Sequence, residues 1–202
     1  MQVERFPDLF PPEAGHEGPV LLTPTLFADE RGFFFESWNR RSFAAALGVG
    51  EEQAPSFEQD NHSHSCRGVL RGLHYQLPPQ PQGKLVRCVA GEIFDVAIDL
   101  RRGSPGFGRW VGTRLSSTNH RQFWVPAGFA HGFLTLSDTA EVLYKVSGFW
   151  SRECERSLRW DDPDLAIDWP LATLDGEPPL LSPKDAAAPS LAAAIADGDV
   201  FP

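Results

Sequence analysis

The chain has 202 residues, enough for one domain with a sizeable core, and its 42% hydrophobic content rules against wholesale disorder. A formal net charge of −9 opposes nucleic acid and anionic membrane, yet a few cations focused in one pocket suffice for a phosphorylated small molecule. No apolar run is long enough to cross a bilayer and no signal peptide is expected. Cys66, Cys88 and Cys154 are too scattered for a disulfide framework or zinc cluster, so reduced thiols in a cytoplasmic protein are expected.

Residues 1–18 carry acids and prolines and read as an arm, either poorly ordered or docked on a partner. Strand-like runs then follow one another between Gly, Pro, Asn and Asp, at 20–27, 33–38, 56–64, 68–76, 84–89, 92–100, 110–115, 122–125, 132–136 and 141–149. A helical pattern interrupts them at 41–47. The period of two is clearest at 92–100, where Phe94, Val96, Ile98 and Leu100 alternate with Ile93, Asp95, Ala97 and Asp99. About ten strands at this spacing predict an all-β sandwich or barrel with few short helices. A Pro-rich loop at 176–183 precedes a helical pattern at 189–196. The expected division is an arm at 1–18, the main domain at 19–188 and a helical tail at 189–202.

Among the histidines, His16 and His120 fall in expected loops and read as surface residues. His62-Ser63-His64 sets two imidazoles on one strand face, and the stretch from Pro126 to His131 resembles a metal-binding turn of cupins. Such a site also wants an acidic ligand a few residues after the His pair. Here Ser65-Cys66-Arg67-Gly68-Val69-Leu70-Arg71 offers two cations and no carboxylate, which opposes a divalent ion. No metal is expected.

The run Arg71-Gly72-Leu73-His74-Tyr75-Gln76 is unusually polar for a strand. By parity Arg71 and His74 face opposite sides, unless Gly72 hosts a bulge that turns both into one pocket. Lys84 shares its face with Val86 and Cys88, and either snorkels at a strand edge or is buried for a purpose. Tyr144 shares its face with Val142 and Val146, and is a core tyrosine or a proton donor.

From about Thr23 to Pro189 the chain resembles the dTDP-4-dehydrorhamnose 3,5-epimerase family. The matching blocks are Asp29-Glu30-Arg31-Gly32-Phe33-Phe34-Phe35-Glu36, Gln59-Asp60-Asn61-His62-Ser63 and Val69-Leu70-Arg71-Gly72-Leu73-His74. They continue with Gln82-Gly83-Lys84-Leu85-Val86-Arg87, Phe94-Asp95-Val96-Ala97, Pro126-Ala127-Gly128-Phe129-Ala130-His131-Gly132-Phe133 and Leu181-Ser182-Pro183-Lys184-Asp185. The resemblance implies a cupin-type jelly roll, usually a homodimer, that needs no metal or other cofactor. It implies His74 as base, paired with Asp185, Tyr144 as acid, and Lys84 and His131 around the reacting sugar. It also implies Arg31, Glu36, Gln59, Asp60, Asn61, Arg71, Glu155 and Lys184 as substrate contacts. Where many relatives read Tyr-Tyr, this chain reads Phe149-Trp150, so Trp150 keeps an aromatic platform while two hydroxyls are gone.

The reaction implied is conversion of dTDP-4-dehydro-6-deoxy-D-glucose to dTDP-4-dehydro-L-rhamnose, a step of dTDP-L-rhamnose and surface polysaccharide synthesis. Protons at C3 and C5 flank the C4 ketone, so removing either gives an enolate. Inversion needs two groups on opposite ring faces. Histidine titrates near neutrality, and a carboxylate on its far nitrogen fixes the tautomer. A lysine in a site with little water meets the enolate charge. The residues supply no nucleophile for acyl transfer and no Gly-rich loop for a nicotinamide. The rival readings are an epimerase of one centre only, a metal-dependent cupin oxygenase or isomerase, and a catalytically dead binding module.

Overall fold

The computed structural model describes residues 1–11 and 17–202. In chain order its strands are β1 (Gln2–Arg5), β2 (Val20–Thr23), β3 (Phe27–Asp29), β4 (Gly32–Phe34), β5 (Gln59–Cys66), β6 (Leu70–Gln76), β7 (Lys84–Ala90) and β8 (Glu92–Asp99). They continue with β9 (Trp110–Ser116), β10 (Gln122–Val125), β11 (Phe129–Thr135), β12 (Thr139–Val146) and β13 (Glu155–Ser157). Helix α1 (Arg40–Leu47) precedes β5, and α2 (Pro183–Ala186) and α3 (Leu191–Asp197) follow β13.

Two antiparallel sheets face each other, one ordered β1-β2-β10-β7-β12-β5 and the other β13-β6-β11-β8-β9, while β3 and β4 form a separate hairpin. This is the expected cupin-type jelly roll. Alternation decides which residues line the space between the sheets. Val86, Cys88, Ile93, Ala97, Phe123, Phe129, Phe133 and Val142 gather there and fill one end of the lumen. The outer face of the five-stranded sheet is covered by the segment after β13, through Leu158, Leu165, Trp169, Leu174, Leu191 and Phe201. Helix α1 covers part of the other sheet, packing Phe43 and Leu47 on Val20, Leu22, Leu85 and Trp124. Asn39 caps α1 by accepting from the backbone of Arg41 and Ser42, and Gly48 closes it in the left-handed conformation.

The sheet core follows the alternation in the sequence, with instructive departures. The run 20–27 splits because Pro24 removes a ladder donor, so the chain leaves the sheet and re-forms as the β3–β4 hairpin. Within the segment read as an arm, β1 pairs with β2, and Phe10 is buried edge-on against Phe129, 5.4 Å between ring centres. The three-residue β13 has no counterpart among the expected strands, because so short an edge strand shows no periodicity.

Candidate active site

The polar end of the lumen is organised by a bulge in β6. His74 pairs with His131 and Arg71 with Phe133, so three steps on β6 match two on β11. The extra residue is taken up at Gly72, whose φ of 124° favours glycine. A Cβ there would lie 2.6 Å from the Cα of Gly132, so the two strands approach at a distance no side chain permits. The result is a sorting of faces. Leu70, Leu73 and Tyr75 join the outer cluster, while Arg71 reaches Ser65 on the opposite sheet and His74 alternates with Leu73 and Tyr75 onto the inner face.

His74 Nε2 lies 2.6 Å from Asp185 Oδ1. Asp185 stands in α2, where Ser182 is the N-cap and Pro183 opens the first turn. The Ser182 hydroxyl accepts from the Asp185 amide at 3.1 Å and donates to Asp185 Oδ2 at 2.9 Å, so both carboxylate oxygens are held. Burial works to raise this carboxyl, but the bonds from His74 and Ser182 outweigh it and keep it below the usual carboxylate range. With Nε2 committed to Asp185, Nδ1 is the basic nitrogen left to His74, whose side chain is 30% exposed.

The neighbouring residue, Lys184, pairs with Glu155 on β13 at 2.7 Å. Burial would raise the Glu155 carboxyl, but Lys184 and a hydrogen bond from the Trp150 side chain pull it down. Trp150 is itself tied to β5, its amide donating to Gln59 Oε1 at 3.2 Å.

Lys84, at the start of β7, is only 8% exposed, so the structure decides for burial over snorkelling. Its ammonium donates to the His74 carbonyl at 3.1 Å. Burial pushes it down to about 8, against the pull of Asp95 and Glu155. His131 Nε2 lies 2.6 Å from Asp95 Oδ1, and Asp95 Oδ2 is buried without a partner among the described residues. Burial drives His131 down, more strongly than Asp95 raises it. Asp95 thus joins the site beyond the residues expected from the sequence, and a carboxylate in the inward row Ile93-Asp95-Ala97 is the signal that marks it. Ser182 joins it too.

On the facing sheet, Tyr144 is half-buried and feels both Arg71 and Glu155; its hydroxyl has no hydrogen-bond partner among the described residues. Burial raises its phenol. Asn61 pairs with Tyr144 in register and accepts from Gln59 Nε2 at 2.8 Å. Arg71 donates to Ser65 Oγ at 3.0 Å and to the His64 carbonyl at 3.2 Å, spanning the gap between the sheets.

Not every expected site residue joins this group. Asp60 alternates with Asn61 and points to the outer face of β5, where Lys145 pairs with it at 3.0 Å. His62 lies on that outer face as well, 2.9 Å from Glu141, so the imidazoles of the sequence pair do not converge with His131. Among the described residues no three His, Cys, Asp or Glu side chains are placed to hold a metal ion. Arg31 sits at the tip of the β3–β4 hairpin, 85% exposed and paired with Asp29, while Glu36 accepts from Asn39 at 2.9 Å. The hairpin rests on the outside of the six-stranded sheet, with Phe33, Phe35 and His120 in mutual ring contact and Arg87 over Phe35. His16 lies outside the described residues.

A jelly roll whose lumen holds two His–Asp pairs, a buried lysine and a half-buried phenol defines an enzyme of acid–base proton transfer. The family profile for dTDP-4-dehydrorhamnose 3,5-epimerase matches residues 14–193. A Pseudomonas aeruginosa protein of that name is 58% identical over 183 residues, covering 91% of this chain and 94% of the relative. Two solved structures are also similar. A Legionella pneumophila 3,5-epimerase in complex with dTDP-4-keto-L-rhamnose superposes with a TM-score of 0.85 at 46% identity, over 100% of this chain and 97% of that one. A 3'-monoepimerase from Streptomyces bikiniensis in complex with dTDP-quinovose gives 0.82 at 37%, over 92% and 89%. This chain belongs to the dTDP-4-dehydrorhamnose 3,5-epimerase family.

Proposed function

We propose that the protein converts dTDP-4-dehydro-6-deoxy-D-glucose to dTDP-4-dehydro-L-rhamnose by proton removal and return at C3 and C5. The observation that carries this reading is the arrangement of the lumen. A histidine backed by a buried carboxylate lies on one sheet, and a phenol whose hydroxyl has no partner among the described residues lies on the other. His74 Nδ1 takes the proton beside the ketone, and Asp185 stabilises the imidazolium that forms. Lys84, while protonated, meets the negative charge that develops on O4, in a site where little water competes. Tyr144 delivers a proton from the opposite face. Arg71 and Lys184 neutralise the diphosphate, and Trp150 offers a flat surface to the base of the nucleotide.

The test is incubation with dTDP-4-keto-6-deoxyglucose in deuterated water, followed by product NMR. Deuterium at both C3 and C5 with the L-configured product is expected. Deuterium and inversion at one carbon only would establish the second reading, a single-centre epimerase. Phe149-Trp150, in place of the common Tyr-Tyr, is the feature that bears on that reading.

We also propose a homodimer and a cytoplasmic site of action. The hairpin exposes Phe27, Phe33 and Phe34 at 63%, 60% and 70%, an apolar patch that a second copy would cover. Arg31 and Glu36 would then serve a neighbouring lumen rather than their own. Light scattering should give twice the chain mass, and Phe33→Asp should lower it. No helix among the described residues is long and apolar enough to cross a membrane.

A further inference from the structure

We infer that Asp199, in the turn after α3, is a positioning residue for the base. The segment 189–202 lies behind the site, on the side of β6 away from the lumen. Asp199 touches the site's supports at two points. Its backbone carbonyl accepts the phenol of Tyr75 at 2.6 Å, and its carboxylate accepts from Arg156 Nε at 2.7 Å. Each of those residues is the immediate neighbour of a site residue, Tyr75 of His74 and Arg156 of Glu155.

The two contacts are bridges over a gap. A cleft of about 260 Å³, lined among others by Tyr75, Glu155, Arg156, Lys184 and Asp199, separates this segment from the rear of the site. Strand β13 has three residues and sits at the sheet edge, held to β6 through Glu155–Gln76, Arg156–Tyr75 and Ser157–His74. So short a strand draws little rigidity from its own ladder. Asp199 adds a side-chain anchor to its middle residue. From there the restraint passes to Glu155, across the 2.7 Å pair to Lys184, and so to α2 and Asp185. A second route runs through Tyr75 to His74 itself. The segment is fixed from its far side, with Phe201 N on Leu100 O and Arg102 N on Phe201 O, and Asp199 N on Ala194 O ties its turn to α3. Asp199 thus refers both partners of the His74–Asp185 pair to one rigid support. Displacements well under 1 Å matter for a proton transfer.

The inference rests on His74 being the base, and the test separates the two. Deuterium exchange at C3 and C5, kcat, KM and the pH–rate profile are measured on the full chain at a temperature far below unfolding. For Asp199→Ala we expect kcat to fall about tenfold, with KM within about twofold and a displaced acidic limb. Asp199→Asn, which keeps an acceptor for Arg156, should recover most of the loss. Ser104→Ala, which removes a remote hydrogen bond to Asp99, serves as a stability control. It should lower the melting temperature and leave kcat alone. Wild-type kcat and pH profile in Asp199→Ala, whatever its melting temperature, would overturn the inference. Wild-type exchange in His74→Ala would instead overturn the assignment of the base.

Discussion

His74 and His131 stand opposite each other on neighbouring strands, each 2.6 Å from an aspartate oxygen. Their surroundings differ. The His74 side chain is 30% exposed, and its aspartate is held at both oxygens and lies below the usual carboxylate range. His131 and Asp95 are buried, burial drives His131 down, and the second oxygen of Asp95 has no partner among the described residues. A base must gain and lose a proton in contact with substrate, and the exposure of His74 and the doubly held Asp185 fit the role proposed for that pair. The His131 pair is built to stay neutral at the imidazole and to place a carboxylate near Lys84. The same two residue types at the same separation thus sit in different electrostatic settings, and burial sets them apart.

That contrast breaks most visibly at the base. His74→Ala should lower exchange at both carbons by about 10²–10⁴-fold, the usual worth of a general base. Asp185→Asn should cost less, because it leaves the base present but poorly oriented and unsupported. Near-normal exchange in His74→Ala, with His131→Ala inactive, would reverse the roles of the two pairs. Next in size is Tyr144→Phe. Abstraction should continue while delivery from the opposite face fails, so deuterium enters C3 or C5 and much of the sugar stays uninverted. Solvent deuterium content and epimer ratio followed together distinguish this from a plain binding defect, in which both fall.

A smaller effect sharpens the second pair. Lys84 lies at about 8, so activity that needs its charge should decline as pH rises through about 8. Asp95 is the largest influence holding Lys84 up against burial, so Asp95→Asn should move this alkaline limb to lower pH. A limb that stays in place would detach Asp95 from Lys84. The sign for stability is the reverse of that for activity. Between about 8 and the ordinary lysine range the unfolded chain binds the extra proton, so stability rises with pH there. The smallest effect concerns metal. Turnover should be unchanged by EDTA, and loss restored by one added ion would contradict the cofactor-free reading.

Much of this arrangement was legible from residues alone. Alternation located the core strands, and Gly72 between Arg71 and His74 offered a bulge as one of two alternatives, the one its φ of 124° bears out. Ser182-Pro183 was also readable as a helix start, yet the Pro-rich stretch before it drew the eye to a loop. Asp95 was harder. Its partner lies on the adjacent strand of a sheet whose order the sequence does not state, and parity alone cannot pair strands β8 and β11. Asp60, Arg31 and Glu36 came from the resemblance, and a single chain places them outside the lumen.

The contact between Gly72 and Gly132 makes the two histidines a single mechanical unit. Each glycine is flanked by site residues, Arg71 before one and His131 before the other, and His74 and His131 are register partners. Any side chain at Gly72 would wedge β6 from β11 and shift both His–Asp pairs together. Backbone change here offers no way to retune one pair and spare the other. Change within the lumen is therefore left to side chains, while the paired glycines hold the backbone under both histidines fixed.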